Sequence, residues 1–267
     1  MLSLCTIARD EEQFLAGMLD SVRGLVDEVI LGIDDRTTDR TADIAADYRA
    51  RVFPFAWQDS FAAARNLTLE RARGDWILVI DPDERLLPEG RRVLGEFLAH
   101  LDAVALSVDG FHTLIVETDL DGNELSPPER SSSRLFRNSP DLRYTGRVHE
   151  EIRYVPDPPR TICAMLADGP HIQHLGMDIT VRARRGKRER DLRLLHLRLA
   201  DNPRDAVAMC YLALYARAAG NLDEATEWAQ HALECGPRTL HHDRREQLER
   251  MLREGVAGDP QVRETPA

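Results

Sequence analysis

With 267 residues, 43% of them hydrophobic, the chain is long enough for one large α/β domain with an appendage, which is the arrangement we expect. Its formal net charge of -11 argues against a nucleic-acid partner, because domains that bind DNA or RNA usually carry a basic face. The chain shows no basic-then-apolar leader, and none of its apolar runs approaches the roughly 18 residues of a bilayer span. We therefore expect a cytoplasmic protein with no transmembrane segment, and peripheral contact with the inner face of the membrane stays open.

The first hundred residues alternate short apolar runs with amphipathic segments. The apolar runs predict strands at residues 2–7, 29–33, 51–55 and 76–80. Apolar residues at helical spacing predict helices at residues 14–22, 38–48, 61–72 and 88–101. Strands that alternate with helices of this length form a mostly parallel sheet with right-handed crossovers and flanking helices. The fold class that we predict is therefore α/β and Rossmann-like.

The regular alternation ends beyond residue 101. We expect residues 103–108 and 111–117 to form an antiparallel pair, residues 120–128 to form a loop, and residues 134–137 and 152–155 to add strands. Residues 171–174 close this region, and the domain is expected to comprise residues 1–177.

Residues 178–254 have a helical pattern and predict a small all-α helical-hairpin module, followed by a disordered tail at residues 255–267. Pro203 and Pro237 are 34 residues apart, the period of the tetratricopeptide (TPR) repeat, and small and apolar residues between them match that repeat. Because only one full unit is visible, such TPR-like helices could brace the first domain, form a homo-oligomer or present a groove to a protein partner.

Two carboxylates follow the fourth predicted strand directly, in the sequence Asp81-Pro82-Asp83-Glu84. Residues i and i+2 of an extended segment face the same way, so we expect Asp81 and Asp83 to point together from the carboxyl edge of the sheet, where open α/β sheets bind ligands. This DxD pair suits Mg2+ or Mn2+, ions that keep positions open for substrate phosphates. The alternative is an acidic turn that ends the strand, with Glu84 facing water. As a metal ligand, Asp83 is expected on an exposed rim.

Polar residues also stand where the other predicted strands end and in the helix before the fourth strand. Asp34 and Asp81 could accept hydrogen bonds from a base and a ribose, Arg65 could pair with a diphosphate, and Asp83 could bind the ion. Asp34 could instead cap the helix that follows it.

Several of these segments together resemble the N-terminal half of the family 2 glycosyltransferases, which have the GT-A fold. The resemblance rests on residues 2–12, 34–41, 64–66 and 74–84. Residues 134–137 and 146–150, and the pair His174-x-Gly176, resemble the acceptor half of the same family. The resemblance covers roughly residues 2–177 and implies a GT-A fold for them.

The resemblance implies a metal-dependent, inverting transferase that uses Mn2+ or Mg2+ and moves a single sugar from a nucleoside-diphosphate sugar. A UDP-sugar is the first expectation for this donor. The residues expected at the nucleotide sugar are Ala8, Glu11, Asp34, Arg65, Asn66 and Asp81. Those expected at the metal are Asp81, Asp83 and His174. The family's second-strand loop reads Asp-x-Gly-Ser-x-Asp, whereas this chain has Arg36 and Thr37 in place of Gly and Ser, which puts the base preference in doubt.

An inverting displacement needs a carboxylate that takes the proton of the acceptor. Glu150 is the candidate base and Glu151 the fallback; alternatively both are surface carboxylates paired with Arg147 or Arg153. His149 and His174 could reach the metal or the diphosphate, or could be structural histidines. Contacts with the acceptor or a phosphate are expected from Arg134, Arg147 and His149.

The acceptor stays open among a saccharide, a lipid-linked intermediate, a natural product and a peptide. A basic run at residues 182–190 could attract a phosphorylated acceptor or an anionic lipid surface, or could be a solvated face. A nucleotidyltransferase is disfavoured because residues 2–12 contain no glycine for a phosphate-binding loop. The rival from another class is a non-catalytic transferase-like scaffold that binds a protein partner through the TPR-like helices.

Overall fold

The computed structural model describes residues 1–100, 109–155, 163–165, 171–176, 186–236, 240 and 242–257. The chain divides into two compact units, Met1–Arg185 and Gly186–Ala267. The domain boundary expected at residue 177 falls outside the described residues, as does the expected tail from residue 258 onward. Residues 255–257, which we assigned to the tail, instead complete a helix.

The first unit is built on a mixed sheet whose strands are numbered in chain order. They are β1 (Leu2–Ala8), β2 (Glu28–Asp34), β3 (Arg51–Phe55), β4 (Trp76–Val79), β5 (Glu84–Leu86), β6 (Gly110–Glu117), β7 (Glu129–Arg137), β8 (Leu142–Thr145), β9 (Glu151–Tyr154), β10 (Cys163–Met165) and β11 (Ile172–His174). The order across the main sheet is β3-β2-β1-β4-β7-β6-β11-β5, with β10 beside β6, while β8 and β9 form a separate antiparallel pair.

The sheet changes character at β4. Strands β3, β2, β1 and β4 are all parallel, whereas β7 runs antiparallel to both β4 and β6. Every residue of β4 is buried, and β1 is buried over nearly its whole length, because helices or other strands cover both faces of the sheet there. This explains why both strands read as continuous apolar runs rather than alternating ones.

Helices α1–α4 belong to the first unit and α5–α8 to the second. They are α1 (Leu15–Val22), α2 (Thr41–Asp47), α3 (Phe61–Leu69), α4 (Pro88–Ala99), α5 (Lys187–Asp201), α6 (Ala206–Ala218), α7 (Leu222–Cys235) and α8 (His242–Ala257). Alanines such as Ala213 and Ala229 are fully buried and let α6 and α7 pack closely, and Gly220 turns the chain between them with φ +81°. Among the described residues, no helix combines the length and the hydrophobicity that a membrane span requires.

The four predicted strands and four predicted helices of the first hundred residues are confirmed, with ends shifted by a few residues. The predicted strand at residues 111–117 is also confirmed, but its described antiparallel partner is β7. Residues 103–108, expected to be that partner, lie outside the described residues. The segments β5, β8 and β10 were not predicted. The first two are only 3 and 4 residues long and contain charged side chains, so they carry too little hydrophobic pattern.

Candidate functional site

The candidate site lies at the carboxyl edge of the sheet, where strand order reverses on either side of β1. Cys5 of β1 pairs with Ile30 of β2 on one side and with Val79 of β4 on the other. Asp34 and the turn after β4 therefore reach the same edge, with the end of β1 between them. Two strand spacings separate them by on the order of 10 Å. Crevices at such reversal points are where open α/β sheets bind ligands.

The Asp81–Asp83 segment is a turn and not an extension of β4. The backbone N–H of Glu84 donates to the carbonyl of Asp81 at 2.9 Å and closes the turn. The extended backbone assumed for Asp81 and Asp83 was therefore wrong, because the chain bends between them. Asp81 faces two arginines, and Asp83 faces His174.

Asp81 is held between Arg65 of α3 and Arg134 of β7. Arg65 Nη1 lies 2.8 Å from Asp81 Oδ1, and Arg134 Nη1 lies 3.4 Å from Asp81 Oδ2. Burial opposes the ionisation of Asp81, but the two guanidinium groups outweigh it and hold its pKa well below the usual value. Arg134, which we expected at the acceptor or a phosphate, therefore binds carboxylates of its own chain.

Glu84 is the second carboxylate that holds Arg134, and it is only 2% exposed. Arg134 Nη2 donates to Glu84 Oε1 at 2.5 Å, and the backbone N–H of Asp81 donates to Glu84 Oε2 at 2.7 Å. Burial raises the pKa of Glu84 to about 7 against the opposing pull of Arg134. The idea that Glu84 faces water was wrong. Through its bond with the Asp81 N–H, the Glu84 carboxylate holds the backbone of Asp81 in place.

Arg65 joins Asp81 to Glu150, the residue before β9. Arg65 Nε donates to Glu150 Oε1 at 2.5 Å, and the Arg65 guanidinium lies over the Tyr144 ring at 5.6 Å. Burial works against the Arg65 charge, but Asp81 and Glu150 outweigh it and hold the pKa of Arg65 well above its usual value. Glu151 turns elsewhere, since Arg153 Nη2 donates to it at 2.6 Å. Of the two neighbouring carboxylates, Glu150 is the one that this network includes.

Asp83 and His174 present an oxygen and a nitrogen to the same point. His174 Nε2 lies 3.5 Å from Asp83 Oδ2, and His174 Nδ1 lies 2.8 Å from Glu117 Oε2. The pairing of β11 with β5 on one side and β6 on the other places His174 there. Burial opposes the imidazolium, but hydrogen bonds with Asp83 and Glu117 raise the pKa of His174 to about 10. Asp83 is 5% exposed, so the expected exposed rim position was wrong.

Gly176 leaves room at this point. A Cβ atom on Gly176 would lie 2.5 Å from His174 Nε2 and still closer to Asp83 Oδ2, so any side chain would fill the space that both atoms face. No group of three or more His, Cys, Asp or Glu residues with metal-ligand geometry occurs in the described part of the chain. Two donors are nevertheless enough for an ion of the Mg2+ type, which takes its other ligands from substrate phosphates and water. Asp83 and His174 therefore fit a divalent cation, while Asp81 is bound by arginines.

Asp34 lies at the other end of the site and is 3% exposed. Arg36 Nε donates to Asp34 Oδ1 at 2.8 Å and Arg36 Nη2 to Asp34 Oδ2 at 2.5 Å, while the backbone N–H of Arg36 adds a third bond at 3.0 Å. Burial opposes the Asp34 charge, but these bonds lower the pKa of Asp34. Asp34 is not the N-cap of α2, because that helix begins at Thr41 and its N-cap residue is Arg40.

Other residues expected at the nucleotide have structural partners. Ala8 is buried at the end of β1 and offers only its backbone there. Glu11 is buried, and its backbone N–H donates to Thr41 Oγ1 at 2.8 Å. Asn66 exchanges two hydrogen bonds with the backbone of Tyr144, at 3.0 and 2.9 Å, so its amide anchors β8 against α3.

Arg147 and His149 lie in the loop between β8 and β9, beside Glu150. Arg147 Nη1 donates to the carbonyl of Asp59 at 3.3 Å, and the carbonyl of Arg147 accepts the N–H of Phe61 at 2.8 Å. His149 has φ 51°, a left-handed conformation that sharply redirects the chain just before Glu150. Both residues therefore help to fix the conformation of the loop that leads to Glu150.

Two carboxylates at the site, Glu84 and Glu117, were missed as functional candidates. Glu84 shares its face of β5 with Leu86, which is 7% exposed, and that i, i+2 relation could have indicated burial. Glu117 ends the apolar run of β6, so the strand-end argument used for Asp81 applied to it as well. Tyr144 gave no comparable signal, because its contact with Arg65 joins residues that are far apart in the chain.

Comparison with known proteins relates the chain to a family. The sequence profile described as "Glycosyl transferase family 2" matches residues 3–147. The chain is 36% identical over 241 residues to a TPR repeat-containing protein of Synechococcus elongatus, a match that covers 88% of this chain and 57% of that protein. It is 28% identical over 147 residues to the SPbeta prophage-derived glycosyltransferase SunS of Bacillus subtilis, covering 54% of this chain and 33% of SunS. The chain thus spans well under two thirds of either relative.

A solved structure has the same fold at low sequence identity. S. aureus TarS 1-349, in complex with UDP-GlcNAc, matches with a TM-score of 0.53 and 14% identity, covering 99% of this chain and 93% of that one. At this identity the match establishes the fold and leaves substrates open.

Proposed function

Because this chain belongs to glycosyl transferase family 2, with the GT-A type of α/β fold that the sequence predicted, we propose that it transfers a single sugar from a nucleoside-diphosphate sugar to an acceptor with inversion. The observation that carries the proposal is the bridge made by Arg65. It ties Asp81, beside the pair Asp83 and His174, to the candidate base Glu150. The Arg65 bridge thus brings a carboxylate for the acceptor to the same sheet edge as the two donors for a cation.

In the proposed reaction, Glu150 takes the proton of an acceptor hydroxyl as that oxygen bonds to the anomeric carbon. The bond from the anomeric carbon to the diphosphate oxygen breaks on the opposite face, which inverts the configuration. Arg65 holds the Glu150 carboxylate in place through Nε, and it draws its own rigidity from Asp81 and from α3. Preorganised charge of this kind lowers the barrier without a reorganisation cost during the reaction.

Asp83 and His174 would hold Mg2+ or Mn2+, with no requirement for Asp81 as a direct ligand. When bound, the ion supplies charge neutralisation for the departing diphosphate. Glu117 keeps His174 oriented through Nδ1, as carboxylates commonly do for metal-binding histidines. Asp81, which the sequence suggested for both ribose and metal, serves in this proposal to position Arg65 and Arg134.

The proposed donor and acceptor are defined by their chemical class. A UDP-sugar was the first expectation, and the sugar is expected to be a hexose. The acceptor class includes saccharides, lipid-linked intermediates, natural products and peptides.

The test is thermal stabilisation of the full chain by nucleoside diphosphates and nucleotide sugars, each with and without Mn2+, followed by slow donor hydrolysis without acceptor. A ligand that binds only the native state raises the melting temperature. Metal-dependent stabilisation together with release of free sugar supports a transferase. The absence of both with every nucleotide rejects the proposal.

A non-catalytic scaffold is the second candidate, and one observation favours it. The relative that is 36% identical to this chain is named for its TPR repeats. In this chain, α6 and α7 form a helical hairpin with a core of small residues, as one TPR-like unit would. A scaffold predicts partner binding that survives Glu150→Gln and no turnover of any donor, so the hydrolysis assay separates the two candidates.

A further inference from the structure

Arg36 covers the carboxylate at the distal end of the site. Both oxygens of Asp34 accept hydrogen bonds from Arg36, through the side chain and the backbone, and Asp34 is 3% exposed whereas the side chain of Arg36 is 46% exposed. A ligand that reaches this end of the site therefore meets the guanidinium group first. The Arg36 guanidinium offers that ligand hydrogen-bond donors, although the residue that ends β2 is acidic.

The guanidinium keeps one donor edge available. Arginine has five N–H groups, and Arg36 uses one on Nε and one on Nη2 to bind Asp34. Within the described part of the chain, Nη1 and the second hydrogen of Nη2 make no other hydrogen bond. These two groups lie side by side and donate in parallel, which is the arrangement that reads two neighbouring acceptors.

Two contacts hold this donor edge in place. The Asp34 carboxylate binds one side of the Arg36 guanidinium, and the Trp57 ring lies 5.8 Å from the central carbon of that guanidinium. Trp57 is itself anchored, because its Nε1 donates to Asp59 Oδ1 at 2.8 Å. A guanidinium that is fixed by a carboxylate and an aromatic ring is preorganised, so a ligand loses little by ordering it.

The distance from the cation donors fits one part of a nucleotide. Asp34 and the turn that carries Asp83 are separated by two strand spacings, on the order of 10 Å. A nucleoside diphosphate with its phosphates beside Asp83 and His174 would extend along the edge toward Arg36. The group that arrives there is the base.

We propose that Arg36 selects the base of the donor, and that it selects guanine or cytosine over uracil; this rests on the proposed function. Guanine offers the adjacent acceptors O6 and N7, which arginine reads with two parallel bonds. Cytosine offers O2 and N3 in the same relation. Uracil places an N3–H donor between its two carbonyl groups, so one N–H of Arg36 would face another donor and stay unpaired. The UDP-sugar expected from the resemblance is therefore the weaker candidate.

The experiment is calorimetric titration of the full chain with GDP, CDP and UDP, each in the presence of Mn2+. For the unaltered chain we expect GDP or CDP to bind at least about tenfold more tightly than UDP, which is the discrimination of one bidentate arginine contact. Arg36→Ala should remove that preference by weakening the favoured nucleotide and sparing UDP. Arg36→Lys keeps the charge but lacks the parallel donors, and should lose the preference as well.

Arg23→Ala is the matched control, because Arg23 is also an exposed arginine in an ion pair, with Asp20 at 2.8 Å, and lies outside the site. It should keep the base ranking, and the melting temperature of each variant shows that it is folded. Tightest binding of UDP by the unaltered chain, or the same ranking in Arg36→Ala and Arg36→Lys, overturns the inference and leaves the proposed function standing. Failure of GDP, CDP and UDP alike to bind the unaltered chain overturns the inference, and the proposed function falls with it only if the wider nucleotide panel also gives no stabilisation and no donor hydrolysis.

Discussion

Gly176→Ala is expected to disable the cation site by filling the space that Asp83 and His174 face. The new Cβ would lie 2.5 Å from His174 Nε2, and since such contacts are essentially never below 3.0 Å, His174 must retreat by about 0.5 Å or more. Retreat is difficult because Glu117 holds Nδ1 at 2.8 Å and β11 is paired on both sides. Overpacking of this kind costs about 1–3 kcal/mol. For a unit of this size that lowers the melting temperature by about 2–12 °C.

The functional loss should exceed the loss of stability. A misplacement of about 1 Å at a reacting site can reduce a rate by about a hundredfold, so Mn2+-dependent donor binding and donor hydrolysis should fall steeply at temperatures where the variant is folded. Calorimetric titration with and without Mn2+ measures the first, and release of free sugar measures the second.

Gly95→Ala is the control, because its Cβ would meet no atom closer than 4.0 Å and the residue lies inside α4. Alanine in a helix interior stabilises by about 0.5–1 kcal/mol relative to glycine, so the melting temperature should rise slightly with unchanged Mn2+ dependence. If Gly176→Ala bound donor and Mn2+ as well as Gly95→Ala does, Asp83 and His174 would not form the cation site and the steric argument would be refuted.

Three further changes test other parts of the structure. Glu150→Gln should reduce sugar transfer by at least about a hundredfold, whereas Glu151→Gln should stay near the wild-type rate; equal losses in initial-rate assays would reject Glu150 as the base. Glu84→Ala removes a partner of the buried Arg134 and should lower the free energy of unfolding by about 3 kcal/mol in urea titrations, with a smaller loss for Glu84→Gln, and the reverse order would contradict the network. Glu28 accepts hydrogen bonds from Ser3, Arg73 and Arg51, which lower its pKa although burial opposes the shift. Its stabilisation is therefore complete above its unfolded pKa of about 4.3 and is lost as the pH falls through the lower folded value. Melting curves of Glu28→Gln and wild type should differ at pH 7 and converge in acid, and a constant difference would count against the assignment.

The residues of the candidate site show where sequence reasoning succeeds. Asp34 and Asp81 were recognised because each follows an apolar run, and parallel strands bring their carboxyl ends to one edge. Arg65 was recognised as a cation at this edge and expected at the donor diphosphate, whereas the structure pairs it with Asp81 and Glu150. These inferences need only the period of a strand, the alternation with helices and the charge of each residue, all of which are local properties.

The orientation of the same residues was not predictable in this way. Asp83 was expected beside Asp81 on an exposed rim, but the turn at Pro82 directs it toward a histidine more than 90 residues later in the chain. Glu84 was expected in water, and its burial depends on Arg134 of β7. Such pairs depend on which strands become neighbours in the sheet. No local sequence pattern indicates that β7 inserts antiparallel between β4 and β6.

The sequence by itself determined the family, the alternating α/β architecture and the identity of the chemical groups at the edge of the sheet. Hydrophobic periodicity and strand-end residues are written along the chain, so they can be read without coordinates. Only the tertiary structure decided that Arg65 joins Asp81 to Glu150, that His174 meets Asp83 above Gly176, and that Arg36 covers Asp34. These relations depend on strand register and side-chain direction, because contacts between distant segments form only when the whole sheet is assembled.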